Sequence, residues 1–198
     1  LPMPKLFVVT DRKKTGGRPF LSVIKEIAAA GADAIILREK DLSPAELYTL
    51  AGEVRDLCAP SQTKLYINSS IETVLACNTT GVHLGFNSLP LAAARKIIPG
   101  KTIGVSVHSL EEAYSAQRNG ADYILAGHVF PTASKLGQPG RGLDFIRQIC
   151  FRVSLPVIAI GGITADNAAS VIDAGAAGIA VMSLVMESPN ITRTIQAL

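Results

Sequence analysis

The sequence predicts an α/β protein, a compact (β/α)8 TIM barrel, and three observations carry that prediction. Short apolar runs rich in Val and Ile recur eight times along the chain, most without polar alternation. Strands buried on both faces of a parallel sheet look like this. Helical spacing with helix-start signals fills the intervals, and Gly recurs where helices give way to strands.

The runs fall at 6–10, Ala34–Leu37, Lys64–Asn68, Gly81–Leu84, Thr102–Val107, Tyr123–Gly127, 156–160 and 178–182. Between the second and third, Ser43-Pro44-Ala45-Glu46 sets a cap residue before a Pro at the first helical position. Glu46 completes a capping box. Ser109-Leu110-Glu111-Glu112 and Thr164-Ala165-Asp166-Asn167 open later helices similarly, with acids near the positive end of the helix dipole. Ala30-Gly31-Ala32-Asp33, Asn119-Gly120-Ala121-Asp122 and Ala174-Gly175-Ala176-Ala177 form a weak repeat before the second, sixth and eighth strands, and Thr80-Gly81 enters the fourth. Gly ends a helix by taking the left-handed conformation. An open doubly wound sheet shares the alternation of strand and helix. No Gly-rich dinucleotide fingerprint follows the first strand, which favours the barrel. The loop after His128, about a dozen residues long, stands out in so short a barrel, and long loops are usually functional.

With 198 residues and no break in composition, one domain over 1–198 is expected. A hydrophobic content of 48% argues against disorder. The apolar runs are too short to span a bilayer. The net charge of +3 comes from scattered Lys and Arg, so no nucleic-acid or membrane partner is expected. Cys58, Cys77 and Cys150 are far apart and outside any Cys-x-x-Cys pair. That pattern favours a reducing, cytoplasmic compartment over zinc or a disulfide framework. Leu1-Pro2-Met3-Pro4 lacks the charged-then-apolar layout of a secretory leader.

In such a barrel the chemistry gathers at the C-terminal ends of the strands. Those ends read Thr10-Asp11, Arg38-Glu39-Lys40-Asp41, Asn68-Ser69-Ser70, His83-Leu84-Gly85, Ser106-Val107-His108, Gly127-His128, Gly161-Gly162-Ile163-Thr164 and Met182-Ser183. Gly161 and Gly162 permit close approach to a phosphate. The following helix offers unpaired N–H groups, and Ser183 and the backbone near Met182 complete an expected phosphate site. The alternative is that Gly161-Gly162 is only a tight turn. Arg38, Lys40 and Lys135 suit a phosphate or carboxylate, although Arg38 could instead pair with Glu39 or Asp41 on the rim. Of the histidines, His128 precedes the long loop and His108 precedes a helix; His83 could equally be a packed core residue. No carboxylate accompanies the histidines in a ligand pattern, so no metal is expected there.

These strand-end segments, in this order, resemble the thiamine phosphate synthase superfamily. They include Val9-Thr10-Asp11, Leu37-Arg38-Glu39-Lys40, Gly81-Val82-His83-Leu84-Gly85, Gly104 to Ser109, Pro156 to Ile163 and Gly178 to Ser183. The synthases carry Asn-Asp-Arg after the third strand and acids after the fourth-strand Gly, which hold magnesium for a pyrimidine diphosphate. Here those places read Asn68-Ser69-Ser70 and Gly85-Phe86-Asn87-Ser88. Ile36 replaces an expected Gln. Gly127-His128-Val129-Phe130 replaces Gly-Pro and resembles the thiazole tautomerases of the TenI type.

That resemblance implies a cofactor-free isomerase. It would convert an exocyclic thiazole carboxylate phosphate tautomer to the aromatic carboxythiazole phosphate in thiamin biosynthesis. His128 and His108 are its expected catalytic pair. Gly161, Gly162, Met182 and Ser183 would hold the phosphate, and Thr10, Arg38, Lys40, Asn68, Thr132, Ser134 and Lys135 would contact the substrate. Neither metal nor cofactor is implied, and the family resemblance implies a homodimer. A magnesium-dependent thiamine phosphate synthase and a non-catalytic ligand-binding barrel are the alternatives.

Overall fold

Every one of the apolar runs becomes a strand, and the Gly-marked junctions return the chain to the same end of the sheet each time. The computed structural model describes residues 5–135 and 137–198, so the reading of residues 1–4 and the side chain of Leu136 lie outside it. The strands are β1 (Leu6–Val9), β2 (Ala34–Leu37), β3 (Lys64–Asn68), β4 (Gly81–Leu84), β5 (Thr102–Val107), β6 (Tyr123–Gly127), β7 (Val157–Ile160) and β8 (Gly178–Val181). Each pairs in parallel with its sequence neighbours, and β8 pairs with β1, giving a closed barrel in the order β1 to β8. The (β/α)8 barrel expected from the sequence is the fold observed.

The principal helices are α1 (Phe20–Ala29), α2 (Pro44–Cys58), α3 (Ile71–Ala76), α4 (Leu91–Ile97), α5 (Leu110–Arg118), α6 (Gly142–Arg152), α7 (Ala165–Asp173), α8 (Ser183–Met186) and α9 (Ile191–Gln196). The capping box at α2 forms as the sequence predicts. Ser43 N–H donates to Glu46 Oε2 at 2.8 Å, and Glu46 N–H donates to Ser43 Oγ at 3.4 Å. Ser109 Oγ likewise accepts from Glu112 N–H at 3.1 Å and starts α5. At the repeated junctions Gly31, Gly120 and Gly175 all have positive φ, between +84° and +102°. A side chain there would resist the left-handed turn that feeds the next strand.

Alternation along the strands divides the core into two layers. Val8, Ile35, Leu37, Ile67 and Val82 face outward and pack with Ile24, Ile27, Val54, Ile146 and Val171 of the helices. Phe7, Val9, Ala34, Ile36, Tyr66, Tyr123, Leu125, Ile158 and Ala180 face inward. Gly104 makes room for the largest of these: a Cβ there would lie 2.0 Å from the Tyr123 ring. Tyr123 stacks within 5.2 Å of Phe7 and meets Tyr66 edge-on at 5.6 Å. This aromatic cluster fills the lower barrel and leaves the cavity at the C-terminal ends of the strands.

Among the described residues, no helix is long and apolar enough to cross a membrane. Cys58 and Cys77 are buried and free, and Cys150 is free and partly buried.

Candidate active site

A cavity of about 1060 Å³ opens at the C-terminal mouth, with a floor that includes Val9, Ile36, Leu125, Ile160 and Ala180. Its volume is at the upper end of small-molecule sites. Arg38, Lys40, Asn68, His108, His128, Thr132, Lys135, Gly161, Gly162, Met182 and Ser183 all line it. Those eleven expected site residues are thus brought together. The side chain of Ser134 lies outside the description.

Thr10 is placed differently. It is fully buried and is not part of the cavity wall. Phe7 and Val9 point inward, so the next position of the pleat faces out of the barrel. There the Thr10 hydroxyl donates to Glu39 Oε1 at 2.6 Å and accepts from the Arg38 backbone N–H at 3.0 Å. It organises the end of β2.

The same alternation sorts the Arg38-Glu39-Lys40-Asp41 segment. Arg38 and Lys40 enter the cavity, while Glu39 and Asp41 turn to Arg12 and Lys13 of the β1–α1 loop. Arg12 N–H donates to both Glu39 oxygens at 3.1 and 3.2 Å, and its guanidinium forms a two-pronged pair with Asp41. Hydrogen bonds from Arg12 and then Lys13 hold the Asp41 carboxyl well below the usual carboxylate range. The rim pairing of Arg38 with Glu39 or Asp41 therefore does not form. Among the described residues, no salt bridge engages Arg38, Lys40 or Lys135. The Lys40 ammonium is pushed below its ordinary pKa, first by the Arg38 charge, then by burial and by Lys135. Three cations thus gather in one cavity, none of them in a salt bridge among the described residues.

The two glycines line the cavity at the end of β7. Gly161 has φ +103° and Gly162 has φ +66°. A Cβ on Gly161 would lie 2.4 Å from His128 Cβ, and one on Gly162 would lie 2.5 Å from the Pro131 carbonyl oxygen. The glycines thus admit the β6–α6 loop itself, whose Val129 and Phe130 N–H groups donate to Ile160 and Gly161 carbonyls at 2.9 and 3.0 Å. Ser183 opens α8 beside them. Lys14 Nζ approaches its hydroxyl at 3.4 Å, bringing a positive charge to this corner from the β1–α1 loop. No local sequence motif marked Lys14, because 169 residues separate it from Ser183.

All three histidines reach the cavity, each in a different setting. His128 Nε2–H donates to the carbonyls of Pro139 at 3.0 Å and Gln138 at 3.4 Å, which fastens the ring to its own loop. His108 is tied to the first turn of α5: its backbone N–H donates to Glu112 Oε2 at 2.6 Å, and its ring Nδ1 lies 3.4 Å from the same oxygen. His83 lies deeper, between the Tyr123 hydroxyl at 3.1 Å and Ser106 Oγ at 2.9 Å. Complete burial lowers its pKa to about 4. A neutral imidazole satisfies both hydroxyls, with one nitrogen donating and the other accepting. Ser106 and His83 are cavity residues that the sequence list of contacts did not include.

Comparisons with known proteins bear on this site. A sequence model described as thiamine monophosphate synthase matches residues 6–185. The thiamine-phosphate synthase of Coprothermobacter proteolyticus is 42% identical, covering 98% of this chain and 92% of that protein. That of Methanospirillum hungatei is 44% identical, covering 94% and 91%. A solved structure of thiamine phosphate pyrophosphorylase from Pyrococcus furiosus superposes with a TM-score of 0.90 at 38% identity, covering 98% of this chain and 93% of that one. These relatives overturn the expected tautomerase branch and with it the cofactor-free isomerase activity. The Gly127-His128 segment is one local difference inside a chain that matches synthases almost end to end. The proton shuttle assigned to His128 and His108 was tied to tautomerisation and goes with it. By the family model and by these relatives, the chain belongs to the thiamine monophosphate synthase family.

Proposed function

We propose that this chain joins a thiazole phosphate to a pyrimidine diphosphate, yielding thiamine phosphate and diphosphate. One observation carries the proposal beyond the similarity of the relatives: one cavity gathers two sets of anion-receiving groups. Gly161, Gly162, Met182 and Ser183, with Lys14 behind them, suit a phosphate monoester. Arg38, Lys40 and Lys135 suit the higher charge of a diphosphate. Asn68 and Thr132 line the same cavity.

The chemistry balances without a redox partner. The thiazole ring nitrogen supplies an electron pair to the pyrimidine methylene carbon, and the carbon–oxygen bond to diphosphate leaves with its own pair. Cations at the leaving group stabilise the charge that develops there. This step needs no proton moved around the thiazole ring, so His128 serves the wall through its bonds to the loop carbonyls.

The magnesium that the family resemblance gives to synthases meets a poor donor set here. Asn68, Ser69, Ser70, Asn87 and Ser88 offer amides and hydroxyls. Among the described residues, no group of three His, Cys, Asp or Glu side chains comes together to hold a metal.

A homodimer belongs to the same proposal, supported by the family resemblance and read by multi-angle light scattering. The cytoplasmic setting is supported by the free cysteines. Incubation with both substrates, followed by mass spectrometry, should reveal thiamine phosphate and an equal amount of diphosphate. Full recovery of both substrates would refute the synthase assignment.

A further inference from the structure

The β3–β4 side of the mouth is closed by neutral groups bonded to one another. Asn68 Nδ2 donates to Ser69 Oγ at 3.0 Å, and Ser69 Oγ lies 2.7 Å from Ser88 Oγ. Ser88 Oγ in turn accepts the Gly85 N–H at 2.8 Å. Ser70 Oγ is committed to starting α3, where it donates to Thr73 Oγ1 at 2.7 Å and accepts from Thr73 N–H at 3.3 Å. The cavity-lining carboxylates are Glu39 and Glu72. Glu39 is occupied by Thr10 and Arg12. Glu72 lies in the first turn of α3, and among the described residues no group of three His, Cys, Asp or Glu side chains forms around it. A magnesium ion is ordinarily fixed to protein by one or two carboxylates together with the substrate phosphates. In the same cavity Arg38, Lys40 and Lys135 converge with no carboxylate paired to any of them among the described residues. Lys40 registers that crowding in its lowered pKa. A polyanion entering here would relieve repulsion between like charges, which a dication would increase.

Resting on the synthase assignment, we propose that this chain grips a diphosphate directly through Arg38, Lys40 and Lys135, with no divalent ion bridging it to the protein.

Titration calorimetry with inorganic pyrophosphate tests this on the full chain, once in EDTA and once in excess magnesium chloride. The affinity in EDTA is expected to match or exceed that in magnesium. Lys40→Met combined with Lys135→Met should weaken binding about tenfold or more in both buffers. Glu72→Gln should leave binding unchanged in both. Binding seen only with magnesium, binding tightened about tenfold or more by magnesium, a magnesium-dependent loss in Glu72→Gln, or no heat in either buffer would each overturn the proposal. The comparison of buffers uses the unaltered protein, so it stands even where a variant folds poorly. The product assay separates the two claims. Thiamine phosphate formed by a protein that binds pyrophosphate only with magnesium refutes the direct grip alone. Metal-free pyrophosphate binding without any thiamine phosphate refutes the synthase assignment.

Discussion

Thr10 Oγ1 donates to Glu39 Oε1 across 2.6 Å in the buried joint between the first two strands. The same hydroxyl accepts the Arg38 backbone N–H, so one short side chain fixes both Glu39 and the start of the cationic segment. Thr10→Val keeps the shape and removes the hydroxyl. It leaves a buried carboxylate short of a donor, which should lower stability by about 1–3 kcal/mol. Chemical denaturation measures this, and an unchanged midpoint and slope would refute the role.

Arg12 pairs with Glu39 and Asp41, the chain neighbours of the cavity cations Arg38 and Lys40. In Arg12→Met those carboxylates become available to Arg38 and Lys40. The KM for the pyrimidine diphosphate should rise roughly tenfold, with kcat less affected, as expected when an interaction shared by ground and transition states is lost. Adding Asp41→Asn should recover part of the loss. Steady-state kinetics with the diphosphate substrate varied would show an unaltered KM if Arg12 only decorates the rim.

Gly161→Ala should be damaging. The new methyl would overlap His128 Cβ at 2.4 Å, and φ of +103° is unfavourable for any residue with a Cβ. The backbone strain alone amounts to about 1–3 kcal/mol. Thermal melts should show a lower midpoint, and proteolysis should open the β6–α6 loop first. A melt matching the parent protein would count against this packing.

Buried His83 makes stability depend on pH. Its folded pKa is about 4, against an ordinary value of 6.5. The unfolded chain therefore takes up a proton at a pH where the folded protein does not. The stabilisation is complete above about pH 6.5 and is lost as pH falls toward 4, to a total of about 3 kcal/mol. His83→Gln should lower stability at neutral pH but flatten the decline between those values. Denaturant midpoints measured across that range test it; parallel curves for the two proteins would assign the decline to other groups.

Strand positions were legible because burial on both faces leaves a signature in every run. The limits differ by a single residue at 10, 156 and 182, where the chain leaves or enters the ladder. The glycine junctions were legible because a positive φ restricts the choice of residue. The cations Arg38 and Lys40 could be found from their place at a strand end. The fate of their neighbours could not, since Arg12 reaches them from another loop. Thr10 shows a signal that was present but unused: counting the pleat from Phe7 and Val9 already turns it outward. Gly161 and Gly162 were noticed for a ligand, whereas their nearest neighbours are residues of the loop after β6. The error of branch had a different origin. The tautomerase-like signal is local, a His in place of a Pro together with missing acids, whereas the similarity to synthases is spread over nearly the whole chain.

The ring cluster of Phe7, Tyr66 and Tyr123 turns the barrel into a cul-de-sac. Whatever enters must leave by the same mouth. Of two molecules that occupy it together, the deeper must arrive first and depart last, so a plug built from packing alone imposes a sequence in time.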